Sequence, residues 1–234
     1  MTVKEIHSRL RKLGNRQRAE NSQRYFKTGP GEYGEGDIFL GIAVPELRKL
    51  AKEYQTLTLK EATQLLQSSI HEERLLALFI LVRAFAKGDE RLKEQIYRLY
   101  LDNTHYINNW DLVDSSASYI VGAFLMTKDR KPLYDLAKSK DLWERRIAII
   151  ATFYFIKFGE FTEAIKIARM LLSDTEDLIH KAVGWTLREV GKHNLKAEEQ
   201  FLKAHYKKMP RTMLRYAIEK FPEAKRQRYL KGTM

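Results

Sequence analysis

Amphipathic runs of one kind recur along this chain, and the recurrence constrains its fold more than any other feature. The runs His71–Phe85, Asn109–Leu125, Leu142–Lys157, Asp177–Lys192 and Arg211–Phe221 follow one another at steps of roughly 31–37 residues, a spacing close to that of two-helix repeats. A helix pair cannot bury its apolar stripe alone. Stacking pair upon pair into a curved solenoid with a concave face is therefore the expected layout. A compact helical bundle is the competing one, which regular spacing disfavours. Helix starts support the all-α reading. Pro45 and Pro132 stand at first helical positions, and Thr58-Leu59-Lys60-Glu61 reads as a capping box. Gly88, Gly159 and Gly191 each follow a helical run where a left-handed cap is expected. Long β-branched alternations bounded by turn residues are missing. One domain over 1–234 is the expectation.

The charge is lopsided. A net charge of +12 and a pI near 9.7 point to a polyanionic partner, nucleic acid first. Residues 1–27 and 196–234 carry the excess, leaving the middle near neutral; solvated helix faces and a basic tail explain such ends equally well. There are no cysteines, which removes disulfides, thiolate metal sites and thiol nucleophiles. The first residues lack an apolar signal core, and the longest apolar run falls far short of the ~20 residues that span a bilayer. A cytoplasmic protein that makes no use of membranes is expected.

Residues 108–114, Asn-Asn-Trp-Asp-Leu-Val-Asp, are the most informative for chemistry. On a helix, Trp110 and Asp114 stand four residues apart and point the same way. An aromatic wall beside an anion suits a cation, bound or developing during a reaction. A second reading stands beside it: Asn108 or Asn109 caps the helix, Asp111 and Asp114 sit near its start, and Trp110 is simply buried. Further along, Lys181, Trp185 and Arg188 form a stripe at i, i+4 and i+7, and Arg145-Arg146 follow Trp143. Basic residues interleaved with aromatics suit phosphate and sugar, although a core tryptophan flanked by solvated cations gives the same pattern.

Several tempting signals fail. Gly29-Pro30-Gly31-Glu32-Tyr33-Gly34 matches a dinucleotide-binding string, but no strand precedes it and Glu32, Glu35 and Asp37 would repel a pyrophosphate. It reads as a flexible loop. The histidines at 7, 71, 105, 180, 193 and 205 have no metal-ligand spacing, and none neighbours a plausible carboxylate pair. Neither a metal nor a cofactor is expected. Asp114 stands nearly alone as a candidate for chemistry.

The chain resembles the DNA alkylation repair glycosylases of the AlkD type, a HEAT-like helical family. The similarity runs through Arg24-Tyr25-Phe26-Lys27, Phe39-Leu40-Gly41-Ile42 and Pro45-Glu46-Leu47-Arg48. It continues in Trp110-Asp111-Leu112-Val113-Asp114 and Leu142-Trp143-Glu144-Arg145-Arg146. It ends in Lys181-Ala182-Val183-Gly184-Trp185-Thr186-Leu187-Arg188-Glu189 and Arg215-Tyr216-Ala217-Ile218. The resemblance implies a C-shaped HEAT-like solenoid that grips duplex DNA in its concave face and excises N3- and N7-alkylated purines without flipping the base. It maps Asp114 to the catalytic aspartate, Trp110 and Trp185 to the indoles flanking the lesion's deoxyribose, and Arg146 to the arginine beside them. Lys181, Arg188, Arg145 and Trp143 are the remaining candidates for DNA contact. Asn109 stands where some members carry another tryptophan, and the loop at 28–37 is longer than in some members. A monomer acting on alkylated double-stranded DNA is the expectation. A non-catalytic HEAT-like module that binds nucleic-acid structure is the alternative, and a protein-interaction scaffold a third.

Overall fold

The computed structural model describes residues 2–234. It is all-α, and among those residues the one β feature is an isolated parallel bridge between Ile38 and Ile70. The chain divides into two compact units, Met1–Ile120 and Val121–Met234. The first holds α1 (Val3–Leu13), α2 (Arg16–Tyr25), α3 (Val44–Glu53), α4 (Leu59–Leu66), α5 (His71–Lys87), α6 (Glu90–Asp102) and α7 (Trp110–Asp114). The second holds α8 (Ala123–Leu125), α9 (Lys131–Ala137), α10 (Leu142–Ala151), α11 (Phe153–Lys157), α12 (Thr162–Met170), α13 (Asp177–His193), α14 (Leu195–His205), α15 (Arg211–Ala217) and α16 (Glu223–Lys231).

In the first unit α5 is the central element. Helices α3, α4, α6 and α7 pack around it, so Leu75 to Leu81 are buried on every side. A helix that is apolar all round is a core helix. In the second unit α13 has that role, contacted by α10, α12, α14 and α15. Its buried face is Ile179, Ala182, Val183, Leu187 and Val190.

Several local signals hold. Pro45 and Pro132 stand in the first turns of α3 and α9, and Thr58 and Glu61 cap one another reciprocally at the start of α4. Gly159 takes a left-handed φ of 79°. Two glycines do otherwise. Gly88 is extended at the end of α5, because Asp89 already caps α6 directly after it. Gly191 lies within α13, where it gives room to the Glu198 carboxylate.

Two of the amphipathic runs are broken helices. Beyond α7 the chain passes through turns and a π-helical segment, Ser118–Gly122, before α8. The run 142–157 breaks at Thr152, between α10 and α11. Both breaks carry hydroxyls that donate back to the preceding turn. Ser115 and Ser116 bond the Leu112 carbonyl, and Thr152 bonds that of Ile149. Such back-bonding competes with the helical ladder and bends it.

Candidate functional site

In the first unit the candidate residues gather around the N-terminus of α5. His71, Glu72, Glu73 and Arg74 are consecutive charged residues, each at most 4 % exposed. Buried charge is tolerated only where it is paired and hydrogen-bonded, and each of the four has partners. The Glu72 carboxylate accepts the backbone N–H groups of Leu40, Gly41 and Ile42 at 2.9, 2.7 and 3.2 Å. Those donors converge because Gly41 adopts a φ of +78°, and a Cβ there would collide with the backbone of Asn15 and Ala19. Glu73 accepts from His7 at 2.5 Å and from the Ser68 hydroxyl. Arg74 donates to Asp37 at 2.6 Å and to the Ser68 carbonyl at 3.0 Å.

His71 is held at both ring nitrogens. Nδ1 lies 2.8 Å from Asp37 Oδ2 and Nε2 lies 2.8 Å from Asp111 Oδ2. Sequence reading found no histidine beside a carboxylate pair, and here the fold makes one. The partners lie 34 and 40 residues away along the chain, so no local spacing reports them. Burial alone would lower the His71 pKa, but the bonds and charges of Asp111 and Asp37 outweigh it and push it up to about 9. His71 is an imidazolium near neutral pH, donating to both carboxylates. Burial would raise the Asp37 carboxyl, but His71 and Arg74 outweigh that and hold it below its ordinary value.

This network fixes α7. Asn109 caps the helix, its Oδ1 accepting the Trp110 N–H at 2.8 Å while its Nδ2 donates to Asp37 at 3.3 Å. Asp111 sits in the first turn of α7, between the His71 bond and the Leu112 N–H. Trp110 is half-buried. Its indole stacks on Phe26, with ring centroids 5.2 Å apart and planes at 16°, and meets the edge of the exposed Tyr25. Phe26 in turn stacks on Phe39, and Phe39 on the His71 ring at 4.3 Å. The capping and catalytic readings of 108–114 thus describe the same short helix. Asn109 caps it, and Asp114 is half-buried at its last position. The loop 28–37 is closed by its own acids: Glu32 accepts the Gly29 N–H and Glu35 the Gly31 N–H, both at 2.9 Å. A cavity of about 300 Å³ between α2, α3 and α5 reaches His71 and Asp111.

In the second unit, α10 begins at Asp141, whose carboxylate caps the Trp143 and Glu144 N–H groups. Trp143 is 7 % exposed and belongs to the core. Arg145 donates to Asp174 through two nitrogens, at 2.6 and 3.3 Å, and to the Ser139 and Lys140 carbonyls. Both side chains are committed to anchoring α10. Arg146 is 4 % exposed and bonds the Leu178 carbonyl at 2.6 Å, tying α10 to α13. On α13 the stripe of Lys181, Trp185 and Arg188 is present and partly exposed. Carboxylates attend all three: Asp177 pairs with Lys181 at 2.7 Å, Glu189 accepts the Trp185 indole N–H at 3.2 Å, and Glu219 pairs with Arg188. Trp185 also rests edge-on against Phe153 at 4.7 Å. The exposed Lys181–Asp177 pair contributes ~0–1 kcal/mol.

Sequence reasoning missed Asp37, His71 and Phe26 as parts of the site, along with the anchoring role of Asp111. The one signal available was the run of charged residues His71–Arg74 leading directly into an apolar helix. Among the described residues, no group of His, Asp or Glu side chains has the arrangement to hold a metal ion. No helix among those residues is long and apolar enough to cross a membrane.

Comparison with known proteins gives one family. The model of the family described as DNA alkylation repair enzyme matches residues 6–221. A protein of Enterococcus faecalis, described as a predicted DNA alkylation repair enzyme, superposes with a TM-score of 0.68 at 19 % identity, over 90 % of this chain and 98 % of its own. AlkD2 from Streptococcus mutans gives a TM-score of 0.54 at 19 % identity, over 88 % and 98 %. At those identities the two structures speak for the helical-repeat fold. No curated protein matches the chain.

Proposed function

This chain belongs to the DNA alkylation repair enzyme family, and on that premise we propose that it is a glycosylase that hydrolyses the N-glycosidic bond of cationic N3- and N7-alkylated purines in duplex DNA. The observation that carries the reading is the mounting of α7. Trp110 and Asp114 share one short helix whose start is clamped by the Asn109 cap and the Asp111–His71–Asp37 chain. A preorganised anion beside an aromatic face suits positive charge that develops in a transition state.

The chemistry needs little more. Alkylation at N3 or N7 gives the purine a positive charge and makes it a good leaving group, so no general acid is required. As the bond breaks, positive charge moves onto the sugar. A carboxylate ~4 Å away contributes up to about 4 kcal/mol at an effective dielectric near 20, which is roughly a thousandfold in rate. An indole face adds ~0.5–2 kcal/mol through cation–π attraction. Asp114 would stabilise that sugar cation and orient the attacking water, with Trp110 beside it. By the resemblance alone, Trp185 would serve as a second indole and Arg146 as the arginine beside it. Lys181 and Arg188 would contact phosphate. Recognition would rest on the charge of the lesion and its weakened bond, without flipping the base into a pocket.

The experiment is a release assay on duplex DNA carrying a methyl adduct, a much larger cationic N3- or N7-purine adduct, or a neutral lesion such as uracil or hypoxanthine. Free 3-methyladenine or 7-methylguanine and the large cationic base are expected, with the neutral bases retained. Salt-dependent DNA binding without release of any base would instead leave a non-catalytic nucleic-acid module.

A further inference from the structure

We infer that Asp37, His71 and Asp111 form a positioning relay that sets the orientation of α7, so that the 28–37 loop and the start of α5 govern the reactivity of Trp110 and Asp114. The inference rests on the functional reading above only for its activity readout. Its geometric basis is independent of it. His71 is 1 % exposed and makes one bond to the loop and one to α7. Asp37 gathers three donors, His71, Arg74 and the Asn109 side chain. One carboxylate therefore contacts both the imidazole and the residue that caps α7. A second connection runs through ring stacking, from His71 to Phe39, to Phe26 and to Trp110. The hydrogen-bonded and stacked routes start at one imidazole and end on adjacent residues of one helical turn.

The imidazole must carry two protons to serve both carboxylates, since neutral imidazole has one N–H. The charged groups facing it are Asp37 from the loop, Asp111 from α7 and, across the cavity, Arg18 of α2. On α5 itself, Glu72 is occupied by the N–H groups of residues 40–42 and Arg74 by Asp37. Helix α3 presents the apolar Leu47 to the same cavity. With its proton held up to about pH 9, His71 keeps both bonds at neutral pH. Above that one of them is lost, and the loop or α7 is released.

The test uses the full-length protein, magnetic resonance of the imidazole nitrogens and tryptophan indole N–H groups, and duplex DNA carrying 7-methylguanine. Both His71 ring nitrogens should be protonated at pH 7.5. The Trp110 indole resonance should shift with the same midpoint as His71, while that of Trp185 stays. In His71→Gln and Asp111→Asn, release at saturating DNA should fall by about tenfold to a hundredfold, as for an angstrom-scale misplacement of catalytic groups, with DNA affinity unchanged. A His71 that titrates near its ordinary 6.5, or a Trp110 resonance indifferent to His71, overturns the relay whatever the activity. A wild-type protein that releases no alkylpurine overturns the functional reading alone, because the wild-type titration still decides this one. Should His71→Gln not fold, Asp111→Asn and that titration carry the test.

Discussion

The Trp110 indole lies nearly parallel to the Phe26 ring, with centroids 5.2 Å apart and planes at 16°. One face of a tryptophan assigned to the site is thereby fixed by a residue 84 positions earlier in the chain. Stacked pairs contribute about 0.5–1.5 kcal/mol beyond the area they bury, and this one holds an indole that would otherwise rotate. Phe26→Leu keeps an apolar filler and loses the ring. It should lower stability by about 1–2 kcal/mol and cut base release more than DNA affinity. Denaturant titration set beside release kinetics measures both, and an unchanged rate would count against the indole's role.

Asp114→Asn should nearly abolish base release while stability and DNA affinity stay close to wild type. The substitution keeps shape and removes one charge from a half-buried position. Single-turnover release of 7-methylguanine is the measurement, and a rate near wild type would remove Asp114 from the chemistry.

Asp111, three residues before Asp114, has a structural role of its own. It accepts from the buried imidazolium of His71. Removing one partner of a buried pair costs about 3 kcal/mol or more, so Asp111→Asn should be the less stable of the two variants. Urea midpoints of both proteins at pH 7 give the comparison, and equal stability would contradict the pairing.

Glu198 supplies a pH dependence in the second unit. Burial, reinforced by Glu199 and opposed by Lys225 and Arg188, pushes its carboxyl from an ordinary 4.5 up to about 8, and one of its oxygens is buried without a hydrogen bond. A folded-state pKa above the unfolded one gives a contribution fully present below pH 4.5 and lost as pH rises through about 8. Glu198→Gln mimics the protonated form. It should match wild type in unfolding experiments at pH 4 and exceed it at pH 9; a difference of the same size at both pH values would refute the assignment.

Gly184 sets how closely α13 approaches α15. A Cβ there would overlap the Met213 carbonyl oxygen and press on Tyr216, and a backbone oxygen cannot swing aside. Gly184→Ala should destabilise the protein by about 1–3 kcal/mol through overpacking, despite alanine's better helix propensity. Thermal unfolding checks the sign.

Sequence alone determined the helical character, the repeat spacing, the capping box at Thr58 and the pairing of Trp110 with Asp114 on one face. These follow from relations within a few residues, where backbone periodicity and capping geometry act. It also placed Lys181, Trp185 and Arg188 on one stripe of α13. Only the tertiary structure decided what those residues touch. Trp143 and Arg145 look like a nucleic-acid surface in sequence, yet one is core and the other is held by Asp174. His71–Arg74 are four consecutive charged residues in sequence, and they are buried because Asp37, Asp111, His7 and the N–H groups of residues 40–42 come to meet them. The physical reason is one of range. A helix reports its period locally, whereas burying a charge depends on partners brought from 30 or more residues away, and only folding brings them into register.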